Sequence, residues 1–321
     1  MGSCVPEKVL TNNDLEKMVD TSDEWIIKRT GISERRILED NEPTYKLGVE
    51  AAKRAIEDSG LRPDEIDLII VTSSTPDYLT PATSCLIQRD TGAVKAAAFD
   101  LVAACTGFIY GLTVAQQFIE NGSCRHILVV SSEAMSKVTQ WKDRNTCVLF
   151  GDGAGAVVLG PVEDGYGIIS SYIDADGTQG NCISIPCLHV PEADVERRAD
   201  YENKRTIWQD GQEVFKFAVK IMPMATEKVL TDSGIKAEDL KYIIPHQANI
   251  RIIDSAARRL GVESDKIYTT IKKYGNISSA SIPVALADAY QEKCLEKGDY
   301  LVFVGFGGGL TWGATLLRWS K

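Results

Sequence analysis

The sequence predicts an α/β fold made of two similar halves packed as one body, and three observations carry that prediction. First, nearly unbroken apolar runs of strand length alternate with amphipathic runs of helix length, the pattern of sheets covered by helices on both faces. Second, Ala51 to Val71, AAKRAIEDSGLRPDEIDLIIV, aligns without gaps on Ala225 to Pro245, ATEKVLTDSGIKAEDLKYIIP, an offset of 174 residues. Each copy reads as a helix, an Asp-Ser-Gly stop, an acidic turn and a buried strand, so about half the chain is duplicated. Third, 321 residues with 44% hydrophobic and 25% charged side chains are enough for two ordinary globular units.

Taken in order, Asn13 to Val19 and Ser22 to Lys28 give short helical signals, with Ser22 as N-cap and Gly31 as breaker. Tyr45 to Asp58 is a long amphipathic helix ended by Ser59-Gly60, and Ile66 to Ser73 is a buried strand. Pro76 and Pro81 bracket a loop before a helix from Ser84 to Thr91. Ala96 to Leu101 is a strand that passes through Cys105 into a helix ending at Gly122, followed by a strand from His126 to Ser131. Thr146 to Phe150 and Ala156 to Leu159 read as two strands joined by a glycine turn. In the second half, Ile250 to Leu260 answers the helix from Ser84, a helix near Ser278 to Ser281 answers the one opened by Cys105, and Tyr300 to Val304 answers the strand from His126. We divide the chain at residues 1–163 and 164–321. The polar span Asp174 to Gly211 has no counterpart and reads as an insertion over a site.

Charge and composition exclude several classes of function. A net charge of −10 lacks the basic footprint of a general nucleic-acid binder. Two basic islands run against it: Lys28, Arg29, Arg35 and Arg36, then Arg251, Arg258, Arg259, Lys272 and Lys273. They are either solvated helix faces or docking points for an anionic partner. No signal-like or membrane-spanning stretch is expected, and eight cysteines without CxxC or His/Cys clustering point to reduced thiols in a cytoplasmic protein, with no metal site.

The candidate chemistry is concentrated in a few residues. Cys105 sits where a strand becomes a helix, and helix N-termini favour anions, so its thiol is either a nucleophile of lowered pKa or a packed core cysteine. His246 ends the strand Lys241 to Pro245, where open α/β sheets gather ligands. Asn276, in a loop before the second central helix, is either a cap or a hydrogen-bond donor to a developing oxyanion. Gly151 to Ala156, GDGAGA, lacks the following helix and the Lys-Ser/Thr of nucleotide loops and reads as a tight hairpin. Phe306 to Gly309, FGGG, is either half an oxyanion hole or a plain turn.

Cys105, His246 and Asn276 on a duplicated frame resemble the thiolase-like condensing enzymes, and most closely the β-ketoacyl-acyl carrier protein synthase III family. The marks are Thr21-Ser22-Asp23-Glu24-Trp25 with Arg29-Thr30-Gly31-Ile32, Ala103 to Phe108, Phe150 to Ala156, Pro245-His246-Gln247-Ala248-Asn249, Gly275-Asn276 and Phe306 to Gly309, spread over nearly the whole chain. The resemblance implies a layered α-β-α-β-α body and the reaction that initiates type II fatty acid synthesis. Cys105 would take an acyl group from acyl-CoA. His246 and Asn276 would then assist decarboxylation of malonyl-acyl carrier protein, and the N–H groups of Cys105 and Gly308 would hold the oxyanion. It also implies that Trp25 and Arg144 sandwich the adenine of coenzyme A, that Arg29 holds its nucleotide end, and that Gly211, Phe215 and Asn249 line the pantetheine tunnel. Arg251, Arg258 and Arg259 would dock the carrier protein. No cofactor is implied beyond these substrates, and the family is dimeric.

Two features depart from the family pattern. The chain begins almost at Gly2-Ser3, which in relatives follows several more residues that form a first strand. Thr80 stands where some relatives carry an aromatic residue bordering the partner subunit's acyl pocket, which predicts room for branched or longer primers. A polyketide ketosynthase on the same frame, an acyl-CoA hydrolase and a carrier-protein-binding module without turnover are the competing readings.

Overall fold

The structure, a computed structural model, describes residues 1–321. Its main sheet strands are β1 (Gly2–Cys4), β2 (Leu68–Thr72), β3 (Ala97–Leu101), β4 (Ile127–Ala134) and β5 (Asp152–Leu159), then β6 (Gly167–Ala175), β7 (Leu240–Pro245), β8 (Tyr300–Gly307) and β9 (Thr311–Arg318). The first five form one sheet in the order β1-β5-β4-β2-β3, and the last four a second in the order β6-β9-β8-β7. In both sheets a parallel pair, β2 with β4 and β7 with β8, is followed by two antiparallel strands. The duplication read from sequence is therefore a duplication of topology. The fifth strand has shrunk in the second half to a single bridge between Ile243 and Ile267.

The main helices are α1 (Asp23–Thr30), α2 (Tyr45–Ser59), α3 (Thr83–Thr91), α4 (Gly107–Glu120), α5 (Gly211–Ser233), α6 (Ile250–Leu260) and α7 (Ser281–Gln291). Alternation along the inner strands explains the layering, because successive side chains point to opposite faces. Ile69, Val71, Leu128 and Val130 pack outward against Val49, Ala52 and Ile56 of α2 and Ile87 of α3. Leu68, Ile70, Ile127 and Val129 face inward to Phe108 and Leu112 of α4, Ile282 and Leu286 of α7, and Leu301 and Phe303 of the second sheet. Val302 and Val304 face outward again, with Ala218 and Val229 of α5 and Ile252 of α6. The order is helix, sheet, helix pair, sheet, helix. Strands buried on both faces have no polar side, which is why their sequences read as unbroken apolar runs.

Local signals act as expected at several helix ends. The Ser22 hydroxyl accepts from the Trp25 N–H at 3.2 Å, and Gly31, Gly60 and Gly261 end their helices in the left-handed region. The first helical signal shrinks to a single turn, Asn12–Leu15. Gly2–Cys4 itself pairs antiparallel with Ala154–Ala156, so a short first strand is present after all.

The hairpin expected at residues 146–159 is a correction. Arg144–Cys147 is a short helix capped by Asp143, and Asp152–Leu159 is one continuous strand. The glycines serve close packing, not a turn: a Cβ on Gly155 would lie 2.7 Å from Pro283 of α7, and one on Gly151 would lie 2.5 Å from the Tyr274 carbonyl. Beyond β6, residues 176–210 carry a 3₁₀ stretch, Gly177–Cys182, one short α-helix, Glu192–Arg197, and a small ribbon pairing Ile183–Ser184 with Trp208–Gln209. Arg198 pins this segment from a fully buried position, donating to Asp194, Ser184 and the Thr206 carbonyl.

Candidate active site

The two central helices begin in matching irregular turns. Ala104, just before the nucleophile candidate, has φ of 46°, and Ser278, 174 residues further on, has φ of 49°. These left-handed non-glycine residues are costly and therefore informative. Each opens a 3₁₀ turn, Ala104–Thr106 and Ser278–Ala280, that leads directly into α4 and α7. The two helix starts approach so closely that a Cβ on Gly107 would lie 2.9 Å from the Thr72 Cβ and 3.2 Å from that of Ser279. Cys105 is thus placed at the pseudo-symmetric centre.

Cys105, His246 and Asn276 line one cavity of about 1260 Å³, together with Phe306, Gly307 and Gly308. Cys105 comes from the start of α4, His246 from the end of β7, and Asn276 from the loop before α7. Behind His246, Gln247 fixes the chain: its Nε2 donates to the Pro245 carbonyl at 2.7 Å and its Oε1 accepts from Thr270 and Ile271. The His246 ring meets Phe306 edge to face at 5.7 Å, and its Nδ1 has no protein partner. Burial pushes its pKa down to about 3, so the imidazole is neutral. Asn276 is oriented by its own loop. Its Oδ1 accepts from the Ser278 N–H at 2.9 Å, which leaves the Nδ2 amide hydrogens as the group with something to give.

The expectation of a lowered thiol pKa is overturned. Burial pushes Cys105 up to about 12; the Ser278 hydroxyl favours the thiolate and the buried Glu133 opposes it, but desolvation outweighs both. Removal from water costs a thiolate more than a helix start returns. The resting site therefore holds a thiol and a neutral imidazole in one cavity, so the thiol must lose its proton as it attacks.

The glycines at the end of β8 sit against the turn that carries Cys105. A Cβ on Gly307 would lie 2.7 Å from the Cys105 nitrogen, whereas Gly308 has ordinary clearance at 3.6 Å from Ala104. At the cavity mouth, Arg29 and Arg144 lie over the Trp25 ring at 5.3 Å and 5.0 Å, and Arg144 also donates to the Asp20 carbonyl at 2.8 Å. Trp25 and Arg29 line the cavity; Arg144 does not. Gly211, Phe215, Asn249 and Arg251 are all wall residues. Arg251 stacks on Phe215 at 5.8 Å, and the Asn249 Oδ1 caps α6. Arg258 and Arg259 are exposed on the last turn of α6, outside the cavity, with Arg259 donating to the Val219 carbonyl. Thr80 is exposed and stands outside the cavity of its own chain.

Several contributors left little trace in the sequence. Ile183, Ile185 and Ile207 of the inserted segment join Met135 and Phe150 in the apolar cavity wall. Their distance in sequence from Cys105 hid this. Glu133 is fully buried beside the site, visible beforehand only as one charge closing an apolar strand.

A duplicated five-layer frame with a cysteine at one central helix start, and a histidine and an asparagine brought to the same cavity by the other half, defines a thiolase-like condensing enzyme. Residues 99–177 match the family model described as 3-oxoacyl-[acyl-carrier-protein] synthase III, and residues 230–319 match its C-terminal model. The chain is 53% identical to the β-ketoacyl-[acyl-carrier-protein] synthase III of Caldanaerobacter subterraneus subsp. tengcongensis, covering 100% of this chain and 96% of the relative. It is 51% identical to the enzyme of that name from Clostridium acetobutylicum, with 100% and 97% covered. The crystal structure of 3-oxoacyl-[acyl-carrier-protein] synthase III from Aquifex aeolicus VF5 superposes with a TM-score of 0.92 at 44% identity, covering 99% of this chain and 98% of the other. The chain belongs to the β-ketoacyl-acyl carrier protein synthase III family.

Proposed function

We propose that this enzyme starts type II fatty acid synthesis, joining an acyl-CoA primer to malonyl-acyl carrier protein. The observation that carries the reading is the convergence of Cys105, His246 and Asn276, from three separate elements, on one cavity in a chain whose relatives bear that activity in their name. In the first half-reaction the Cys105 sulfur attacks the thioester carbonyl while its proton passes to neutral His246. The C–S bond to coenzyme A breaks, and the departing thiolate takes that proton to leave as free coenzyme A. In the second, malonyl-acyl carrier protein enters and its C–C bond to the carboxylate breaks, releasing carbon dioxide. The electron pair moves toward the thioester oxygen, held by His246 and the Asn276 Nδ2 amide. The carbanion then attacks the acyl carbonyl on Cys105. The Cys105 and Gly308 N–H groups receive the oxyanion, the S–C bond breaks, and 3-oxoacyl-acyl carrier protein leaves as the sulfur takes up a proton.

Trp25 and Arg144 part to admit the adenine, Arg29 holds the nucleotide end, and Gly211, Phe215 and Asn249 line the pantetheine path. Arg251, Arg258 and Arg259 form the carrier-protein dock, where exposed cations on one end of an acidic protein steer an acidic partner. The working unit is a homodimer joined along the β3 edge of the first sheet. This reading is supported by an unpaired edge strand flanked by Leu79, Val94 and Val102, exposed to 66%, 69% and 77%. Thr80 belongs to the same face. The setting is cytoplasmic, in keeping with eight free cysteines and with no helix long and apolar enough to cross a membrane. Incubation with acetyl-CoA and malonyl-acyl carrier protein tests the activity. Equal amounts of coenzyme A, carbon dioxide and 3-oxoacyl product support it; coenzyme A and free acetate without carbon dioxide would establish a hydrolase instead.

A further inference from the structure

Glu133, next to last in β4, has no exposed surface, and four donors from two distant parts of the chain converge on its carboxylate. Its Oε2 accepts from the Ser74 N–H and the Thr75 hydroxyl, both at 2.9 Å. The Thr75 hydroxyl in turn accepts from the Ala134 N–H, which leaves its proton aimed at the carboxylate. Its Oε1 accepts from the Ser279 hydroxyl at 2.6 Å and the Ser279 N–H at 3.4 Å. Burial raises the Glu133 carboxyl pKa while these donors favour the ionised form. A buried acceptor with every lone-pair direction occupied is a rigid tie between its partners.

The tie ends one residue from the chemistry. Ser279 follows Ser278, a residue with left-handed φ whose backbone N–H holds the Asn276 Oδ1 and so helps set where the Asn276 Nδ2 points. We propose that Glu133 is a positioning residue: by clamping Ser279 to the end of β4 it fixes the turn from Asn276 to Ala280, and so aims the Asn276 amide at the thioester oxygen of the malonyl group. Its positioning action therefore falls on decarboxylation; on acyl transfer to Cys105, which does not use that amide, Glu133 bears only through its charge, which opposes the thiolate. The inference rests on the role given to Asn276 above.

Glu133→Gln tests it, because the new amide turns one acceptor into a donor facing donors. Circular dichroism and melting temperature establish that the variant is folded. Carbon dioxide release from malonyl-acyl carrier protein is then expected to fall by about a hundredfold, the scale of a reacting group displaced by roughly 1 Å, while acetylation of Cys105 by acetyl-CoA falls by no more than about twofold, because losing the Glu133 charge favours the thiolate. Equal losses in both half-reactions would mean a merely structural role and overturn the proposal, as would two unchanged rates. If Glu133→Gln does not fold, Ser279→Ala, which removes the shortest of the four bonds, is judged on the same two rates. Asn276→Ala is the reference. If that variant decarboxylates normally, the reading of the site fails; if it loses decarboxylation and Glu133→Gln does not, only the role of Glu133 fails.

Discussion

Replacing Gly307 by alanine probes how tightly the second half of the chain holds the nucleophile supplied by the first. The added Cβ would lie 2.7 Å from the Cys105 nitrogen, 3.1 Å from the Cys105 Cβ and 3.3 Å from the Ala104 Cβ. All three neighbours belong to one turn, and the nearest is backbone, so no flexible tip can swing aside. Gly307 lies within β8, so the new methyl group meets a steric objection and not a conformational one. Restoring ordinary contact, which begins near 3.4 Å, moves the Cys105 turn by roughly 0.7 Å. Overpacking of this kind costs about 1–3 kcal/mol of stability. A reacting atom displaced by that much loses on the order of tenfold to a hundredfold in rate. Gly307→Ala is therefore expected to fold with a lowered melting temperature and to acylate Cys105 more slowly by that factor, measured as the mass shift of intact protein against time with acetyl-CoA. Acylation at the wild-type rate would refute the claim that β8 fixes the nucleophile's position.

The buried, neutral His246 gives a pH signature. Its folded pKa, about 3, lies below the ordinary 6.5, so its contribution to stability is present above pH 6.5 and is lost as pH falls toward 3. At about 1.4 kcal/mol per pKa unit, the stability of wild type relative to His246→Gln should drop by a few kcal/mol over that range in denaturant titrations; parallel curves would contradict it. Arg258→Glu, on the exposed end of α6 and away from the cavity, should raise the KM for malonyl-acyl carrier protein at least about fivefold, with less effect at high salt, and leave acetyl-CoA loading intact. An unchanged KM would move the dock elsewhere. With threonine at position 80, isobutyryl-CoA should serve as a primer, and an enzyme active on acetyl-CoA but inert with isobutyryl-CoA removes that argument.

The sequence carried the architecture because the physics behind it is periodic. Two buried faces on each inner strand produce apolar runs, and the repeat at residues 51–71 and 225–245 placed matching strands in matching sheets. Where glycine has more than one use, local reading failed. Gly151 to Gly155 look like a turn, yet they make room for Tyr274 and Pro283, which approach from the other half of the chain. Cys105 failed in a similar way: its helix start is visible in the sequence, the depth that raises its pKa is not. Cys105, His246 and Asn276 were legible as separate candidates, and the duplication supplied the reason for them to meet. Glu133 was not legible, since its meaning lies in Ser74, Thr75 and Ser279, donors drawn from segments far apart in the chain.

The mass of Cys105 through one turnover tests the account most directly. Exposed to acetyl-CoA alone, the protein should gain one acetyl group on Cys105 and keep it; Cys105→Ala should gain none. When malonyl-acyl carrier protein is added, the group should leave as a 3-oxoacyl product two carbons longer, bound to the carrier protein. Asn276→Ala should load and then stall. Release of free acetate from the loaded enzyme, or acetyl found on any other residue, would contradict the assignment of Cys105 as the nucleophile of a condensing enzyme.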